Sequence, residues 1–205
     1  MRQSFLSLSA ALLLAAPLAA AAAKPLPAGV YQFDPAHSQL GFEVSHLVIS
    51  TVNGKFDKFS GTITVKSRHA ISVVASADAA SVDTGNSMRD AHLRGTDPQK
   101  PKDDFFYAEK YPTLDFKSRR VVLKGDQLTV TGDLTIRGVT KLVTFTGDYR
   151  GFVKTPWGDE RIAAELSTTI NRQDFGLKFN ALMNAGPIVG DDVKLIIDVE
   201  AVKQK

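Results

Sequence analysis

The chain has 205 residues, with 25 Lys and Arg against 22 Asp and Glu, a formal net charge of +3 and 0 Cys. Charges this close to balance argue against the strongly basic surface of a nucleic-acid-binding protein and against a polyacidic substrate. The lack of cysteine excludes thiol catalysis, thiolate metal sites and disulfides. The length suits one domain.

The first residues have the layout of a secretory signal peptide. Arg2 is followed by an apolar run over residues 5–16, then Pro17 and a tail of alanines that ends at Ala23. This apolar run is shorter than the ~20 residues that a membrane-spanning helix needs. We therefore expect residues 1–23 to be a signal peptide cleaved after Ala23, and residues 24–205 to form one periplasmic domain that does not span a membrane.

Period-two alternation, the pattern of half-buried strands, dominates the rest of the chain. In residues 40–46 one face carries Leu40, Phe42, Val44 and His46. Further runs of this kind cover residues 52–65, 71–82, 113–123, 127–136, 139–153, 161–171 and 193–202. About eight strands joined by short turns predict an all-β sandwich or barrel.

Glycines and small residues within these runs bear on whether the interior is hollow. Gly54 and Gly61 predict bulges or sharp bends in the second run. Small residues line the third run, namely Ala75, Ala77, Ala79 and Ser81. An eight-stranded barrel is just wide enough to be filled by side chains or to hold one small ligand. The pattern alone leaves a filled core and a cavity equally open.

Residues 86–109 interrupt the strands and predict one or two short helices. The first covers residues 86–94, where Ser87 and Asp90 have capping-box spacing, and the second is a turn over residues 102–109. Asp90 and Arg94 are four residues apart and favour a surface ion pair. The alternative is a basic rim, with Arg89 and His92 on one helix face, that binds an anionic head group.

Motifs for enzyme or metal chemistry are weak. The chain has no G-x-S-x-G elbow, phosphate-binding loop or dinucleotide fingerprint. His37, His46 and His92 are the candidate histidines for catalysis or metal binding. No HxH or HExxH motif contains them, so hydrogen-bonded structural histidines are favoured over metal ligands. We expect no catalytic residue, no metal and no cofactor, and keep a lipid-modifying enzyme that uses one of these histidines as the alternative.

Motifs in order along residues 34–193 resemble the YceI-like family. They are Asp34-x-x-His37-Ser38, Phe42-x-Val44-x-His46, Gly54-x-Phe56-x-x-Phe59-x-Gly61, Ser81-Val82-Asp83-Thr84-Gly85-Asn86, Arg89-Asp90-x-His92-Leu93, Phe105-Phe106, Tyr111-Pro112, Gly132-Asp133-Leu134-Thr135-Ile136-Arg137-Gly138-Val139-Thr140, Asn171-Arg172-x-Asp174-Phe175-Gly176 and Gly190-Asp191-x-Val193. No single motif decides, but the ordered set is specific.

The resemblance implies an extended, lipocalin-like antiparallel eight-stranded barrel with an elongated apolar cavity. It implies a periplasmic carrier, often a homodimer, that binds a polyisoprenoid such as a polyprenyl phosphate or a quinone without catalysis. Residues 96–102 look like an insertion that shorter relatives lack, and a loop there would alter the preference for a head group if it borders the cavity.

On this basis we expect two sets of ligand-binding residues. The apolar lining would be Phe42, Val44, Phe56, Leu134, Phe145, Leu166 and Phe175. The head group would meet Arg89, His92, Arg94 and Arg172, while His37 and His46 either supply polar contacts inside or hold strands together. A structural stress protein with a filled barrel is the third alternative.

Overall fold

The structure, a computed structural model, describes residues 23–184 and 186–205. The predicted signal peptide lies outside these residues, apart from Ala23. The elements in chain order are β1 (Gly29–Phe33), β2 (Gln39–His46), β3 (Ser50–Phe56), β4 (Phe59–Ser67), β5 (Ala70–Asp78), a 3-10 turn (Ala79–Ser81), β6 (Val82–Asp83), α1 (Ser87–Arg94), β7 (Thr113–Lys124), β8 (Gln127–Ile136), β9 (Val139–Lys154), β10 (Glu160–Asn171), a second 3-10 turn (Arg172–Phe175), β11 (Leu182–Met183), β12 (Gly186–Pro187) and β13 (Val189–Lys203).

The sheet closes on itself, which confirms the predicted barrel. Its neighbours run β1-β4-β5-β7-β8-β9-β10-β13, and β13 pairs in turn with β1, so the barrel is antiparallel and closed with 8 strands. Closure leaves no unpaired edge along this ring. Alternate side chains of each strand point into the barrel, which explains the period-two pattern.

Three barrel strands are broken in the middle. β13 pairs with β2 over one part of its length and with β1 over the other, so β1 and β2 form one strand interrupted at residues 34–38. In the same way β3 and β4 continue each other, and so do β5 and β6. These breaks divide the barrel into two halves along its axis.

Gly54 and Gly61 pair with the neighbouring strands without a shift in register, so the prediction of bulges or sharp bends there was wrong; the break between β3 and β4 falls at residues 57 and 58. The backbone N–H of Asp57 donates to the carbonyl of Ser81 (3.0 Å), which holds the break. The two glycines instead admit aromatic rings. A Cβ at Gly54 would lie 2.2 Å from the ring of Phe42, and one at Gly61 would lie 2.3 Å from the ring of Phe33.

Between β6 and β7 the structure has one α-helix and a long loop. α1 confirms the first predicted helix, but residues 102–109 form turns. Tyr107 has a left-handed φ of 51°, which a continuing helix excludes. Within the described part of the chain, no helix is long and apolar enough to cross a membrane.

Candidate functional site

Among the described residues, a cavity lies in each half of the barrel interior. The lower cavity, of about 440 Å³, lies in the half formed by β2 and β3 and reaches α1 and the loop after it. The upper cavity, of about 170 Å³, is lined almost wholly by apolar side chains of the other half. The lower volume falls in the range of small-molecule binding sites.

A shared layer of side chains separates the two cavities. The residues that line both are Phe56, Leu114, Ile136 and Leu195. Phe56 is wedged between two other rings, at 6.0 Å from Phe42 and 5.5 Å from Phe106. Movement of these few apolar side chains would join the cavities into one tunnel.

Each apolar residue predicted for the lining borders a cavity. Phe42, Val44 and Phe175 border the lower one, and Leu134, Phe145 and Leu166 the upper one, with Phe56 between them. Among the small residues of the third run, Ala75 and Ala77 line the upper cavity. Ser81 instead holds the strand break, because its hydroxyl accepts from the N–H of Lys58.

Helix α1 is capped and anchored differently from the prediction. Asn86, not Ser87, is the N-cap, and its Oδ1 accepts from the backbone N–H of Arg89 (3.1 Å). Asp90 is buried and accepts from the N–H and the hydroxyl of Thr84, at 2.9 and 2.6 Å. The predicted Asp90–Arg94 ion pair was therefore wrong, since Arg94 donates to the carbonyl of Val82 instead (2.6 Å).

The face of α1 that points into the barrel carries Arg89 and His92, as predicted. His92 Nε2 lies 2.7 Å from a carboxylate oxygen of Asp104, and its ring meets Phe105 and Phe179 edge-on. Asp104 therefore fixes the orientation of the imidazole. Sequence reasoning missed this pairing, because Asp104 lies in a loop twelve residues from His92.

Arg89 keeps hydrogen-bonding capacity for a ligand. Its Nε donates to the hydroxyl of Thr84 (2.7 Å) and its Nη2 to the carbonyl of the same residue (2.9 Å). A guanidinium has five N–H donors, so these bonds orient the group without exhausting it. His46 borders the same cavity from β2.

The predicted insertion does border the lower cavity. Asp97, Gln99 and Lys100 of residues 96–102 are part of its lining. Lys100 is exposed and adds a second basic side chain to the opening. These three residues were not among the predicted ligand contacts.

Arg172 borders the lower cavity but is engaged by the protein. It is 4% exposed and donates to the carbonyls of Gly190 (2.9 Å) and Leu177 (2.7 Å) and to the carboxylate of Asp191 (2.8 Å). Burial lowers the pKa of its guanidinium, and the charge of Asp191 opposes that shift. Arg172 therefore ties the end of β10 to the start of β13 and has few donors left for a head group.

Two residues predicted to bind ligand lie outside both cavities. Arg94 joins α1 to β6 as described above. His37 is exposed and its Nδ1 lies 2.9 Å from Asp34, at the break between β1 and β2. The structure thus gives His37 a place that fits the alternative of holding strands together.

Asp34, His37 and Glu200 offer potential metal ligands within 4.8 Å of one another. Arg161, however, donates to Asp34 (2.8 Å) and also to Glu200, so both carboxylates already share one guanidinium as their partner. The hydrogen bonds from His37 and Arg161 lower the pKa of Asp34 to about 2. This cluster is an ion-pair network across the boundary between the two halves.

Comparison with known proteins identifies the family. Residues 31–201 match the YceI-like domain. The YceI protein of Escherichia coli O157:H7 is 38% identical over 171 residues, which cover 82% of this chain and 83% of the relative. This chain belongs to the YceI-like family.

Solved structures agree with the assignment. The YceI protein of Campylobacter jejuni has a TM-score of 0.66 at 32% identity and covers 84% of this chain and 96% of its own. A polyisoprenoid-binding domain from Saccharophagus degradans has a TM-score of 0.64 at 17% identity, covering 87% of this chain and 100% of its own. At that identity the second likeness supports the fold alone.

The upper end of this YceI-like barrel is closed by the segment before β1. The hydroxyl of Tyr31 donates to the carbonyl of Pro27 (2.9 Å) and that of Tyr149 to the carbonyl of Pro25 (2.5 Å). Leu26 from this segment lines the upper cavity. Burial raises the pKa of Tyr149 above its usual value.

The lower end of the YceI-like barrel carries exposed apolar side chains near the lower cavity, and we call this set the apolar rim. Its members are Val48 (57% exposed), Ile49 (87%), Met88 (76%) and Leu182 (71%). Leu47 and Val48 form the β2–β3 turn with positive φ values of 54° and 67°. Such a conformation costs of order 1–3 kcal/mol per non-glycine residue, and Val is a severe case because it is β-branched.

Proposed function

We propose that this chain is a periplasmic carrier that binds a long-chain isoprenoid lipid, a polyprenyl phosphate or an isoprenoid quinone, without catalysing a reaction on it. The observation that carries the proposal is the apolar two-cavity interior, which opens at one end beside basic side chains. The family assignment supports it, and a domain described as polyisoprenoid-binding has the same barrel fold. The predicted signal peptide supports the periplasmic location.

Tail binding follows from transfer of apolar surface out of water. Each buried CH₂ contributes roughly 0.8 kcal/mol, so a prenyl chain of several units gains enough to offset the cost of ordering it. The lower cavity accepts the first part of the tail. The upper cavity accepts the distal part when the shared layer around Phe56 moves.

The head group lies at the opening. Arg89 is held by Thr84 with N–H donors to spare, and His92 is held by Asp104, so both are oriented before a ligand arrives. Lys100 adds charge from the inserted loop. These groups suit phosphate oxygens or quinone carbonyl oxygens, since each accepts hydrogen bonds.

The test is identification of the native lipid. The exported protein is purified without detergent and extracted with organic solvent, and the extract is analysed by mass spectrometry. We expect an isoprenoid species above the level carried by an unrelated exported protein. An extract from folded protein without such a species would refute the proposal.

A matched pair of variants tests the use of the upper cavity. Ala75 lines that cavity, and its neighbour Val74 on β5 is 53% exposed. We expect Ala75→Phe to reduce retention of long prenyl chains while shorter ones still bind, and Val74→Phe to change neither. Thermal unfolding checks that both variants fold, and equal retention of long chains by both would exclude the upper cavity from the site.

The oriented His92 gives an enzymatic alternative a specific basis. A histidine fixed by a carboxylate is the arrangement of a general base, and His46 borders the same cavity. Incubation with the identified lipid separates the two functions. Unchanged lipid supports the carrier, whereas conversion that disappears in His92→Ala supports the enzyme.

A further inference from the structure

The tip of the β2–β3 hairpin has residues that its turn geometry disfavours. His46 and Ile49 close the turn through a hydrogen bond (3.3 Å), and both central residues have positive φ. Hairpin turns of this kind favour Asn-Gly, yet here Leu47 and Val48 occupy the positions. A strained, exposed apolar tip is the kind of outlier from which a functional role is inferred.

A second hairpin brings further apolar surface to the same place. The N–H of Leu47 donates to the carbonyl of Ile188 (2.9 Å), which follows β12. Leu182 lies on β11 of this hairpin, opposite Pro187. Met88 of the apolar rim borders the lower cavity, and so does Ile188, whose carbonyl holds the β2–β3 turn, so the rim lies next to that cavity.

Three backbone groups at the turn meet a requirement for entering a lipid phase. Backbone polar groups that enter hydrocarbon must already be hydrogen-bonded. The N–H groups of Leu47 and Ile49 are paired within the protein, and the carbonyl of His46 accepts from Ile49 and from the hydroxyl of Ser50 (3.0 Å).

We propose that the lower end of the barrel docks on a phospholipid bilayer through the apolar rim, so that the cavity opening faces the membrane surface. The exposed side chains enter the interface, and Arg89 and Lys100 beside them meet lipid phosphates. Docking there lets an isoprenoid move between bilayer and cavity without crossing water, and in this respect the inference rests on the proposed function.

A bilayer fits this rim better than a second copy of the chain. Stable protein interfaces use roughly 20–30 residues a side. The rim has four large exposed apolar side chains, far fewer than such an interface needs. Shallow insertion of a few apolar side chains is sufficient for reversible attachment to a membrane.

The experiment is sedimentation with vesicles of phosphatidylethanolamine and phosphatidylglycerol, using the mature protein at low and high salt. We expect Val48→Ser/Ile49→Ser/Leu182→Ser to reduce the fraction bound by at least about tenfold, since three apolar side chains lose their burial. Val153→Ser/Trp157→Ser is the matched control. It removes two exposed apolar side chains, 53% and 84% exposed, at the upper end and should bind as the parent does.

Tryptophan fluorescence reports which end enters the bilayer. Trp157 is the single tryptophan, so its emission should not shift when vesicles are added to the parent protein. A tryptophan placed at the rim by Ile49→Trp, in a Trp157→Phe background, should shift to the blue. Thermal unfolding and the amount of co-purified isoprenoid confirm that each variant is folded and loaded.

Several results would overturn the proposal. They are vesicle binding unchanged by the rim substitutions, binding lost only in the upper-end control, and a blue shift of Trp157 itself. Sedimentation velocity that shows the rim variants turning a dimer into a monomer, without vesicle binding by the parent, would assign the rim to a second copy. Isoprenoid in the purified protein without vesicle binding would refute docking and leave the proposed function intact.

Discussion

The two ends of the barrel differ in how their side chains are covered. At the upper end two buried tyrosine hydroxyls are paired with carbonyls of the preceding segment, Leu26 covers the cavity, and Lys24 pairs with Asp126 at 3.0 Å. At the lower end apolar side chains face solvent and the β2–β3 turn is strained. The contrast shows that stabilising contacts seal one end, while the other keeps exposed apolar side chains and a strained turn that cost stability.

The largest expected effect tests how much the hydrogen bonds of Arg172 stabilise the lower end. Arg172→Ala leaves the carbonyls of Leu177 and Gly190 and the carboxylate of Asp191 without their partner, so we expect a loss of about 3–5 kcal/mol in the free energy of unfolding. Urea denaturation measures it. Arg150→Ala, which removes an exposed pair with Glu165, is the control and should cost less than about 1 kcal/mol. Similar losses in the two variants would contradict this role of Arg172.

Removal of residues 24–28 tests the closed end. We expect a loss of about 2–3 kcal/mol, because Leu26 and the partners of two phenols are removed together. Leu26→Ala, which keeps the backbone, should cost less. The truncation should also bring the pKa of Tyr149 back towards its usual value of 10.0.

Alkaline titration followed by ultraviolet absorbance checks the second effect. The folded protein holds the phenol proton more tightly than the unfolded chain does, so the contribution of Tyr149 is present below about pH 10 and falls as the pH rises above it. Truncation should weaken this decline. A Tyr149 that titrates identically with and without the segment would show that the segment does not seal the cavity.

The strained turn at the open end predicts a gain in stability. Leu47→Asn/Val48→Gly supplies residues that accept positive φ, so we expect the free energy of unfolding to rise by about 1–2 kcal/mol. The same variant should bind vesicles more weakly. Leu47→Asn alone should give part of the gain, and a double variant that is less stable than the parent would contradict the assigned strain.

The smallest effect concerns the boundary between the two halves. The pKa of Asp34 is lowered from 3.8 to about 2, so its contribution to stability is present above about pH 4 and is lost as the pH falls through about 2. We expect Asp34→Asn to lose about 1 kcal/mol near neutral pH, a value discounted for partial exposure, and to show a shallower acid decline. Urea denaturation across this range, with Asp133→Asn as the control, measures it. Parallel acid profiles of the parent and Asp34→Asn would count against the network.

Much of the barrel follows from local pattern. Alternation in residues 127–136 and 161–171 predicted β8 and β10 almost to the residue, because period two is a property of the strand itself. It did not reveal β1, which is short and follows a proline-rich segment. It also read residues 52–65 as one strand, since the break depends on a hydrogen bond to Ser81, a residue outside that run.

Alternation and the family motifs placed apolar side chains at the cavities, but they did not give the hydrogen bonds that the polar residues make. Phe42 and Leu134 stand at inward-pointing strand positions, which alternation marks, and Phe175 stands in a family motif. All three border a cavity. Arg172 matched the same motifs, yet its donors serve carbonyls around the start of β13, and a sequence pattern does not count hydrogen bonds already made.

By itself the sequence determined an all-β barrel of the YceI-like family, with an apolar interior and a helix that carries Arg89 and His92. Only the tertiary structure decided that Asp104 orients His92 and that the carbonyls of Pro25 and Pro27 accept hydrogen bonds from two tyrosine hydroxyls. It also decided that the apolar rim at the lower end is exposed. The physical reason is sequence separation. Alternation depends on neighbouring residues along the chain, whereas these contacts join residues that are distant in sequence and are brought together by strand register and loop paths.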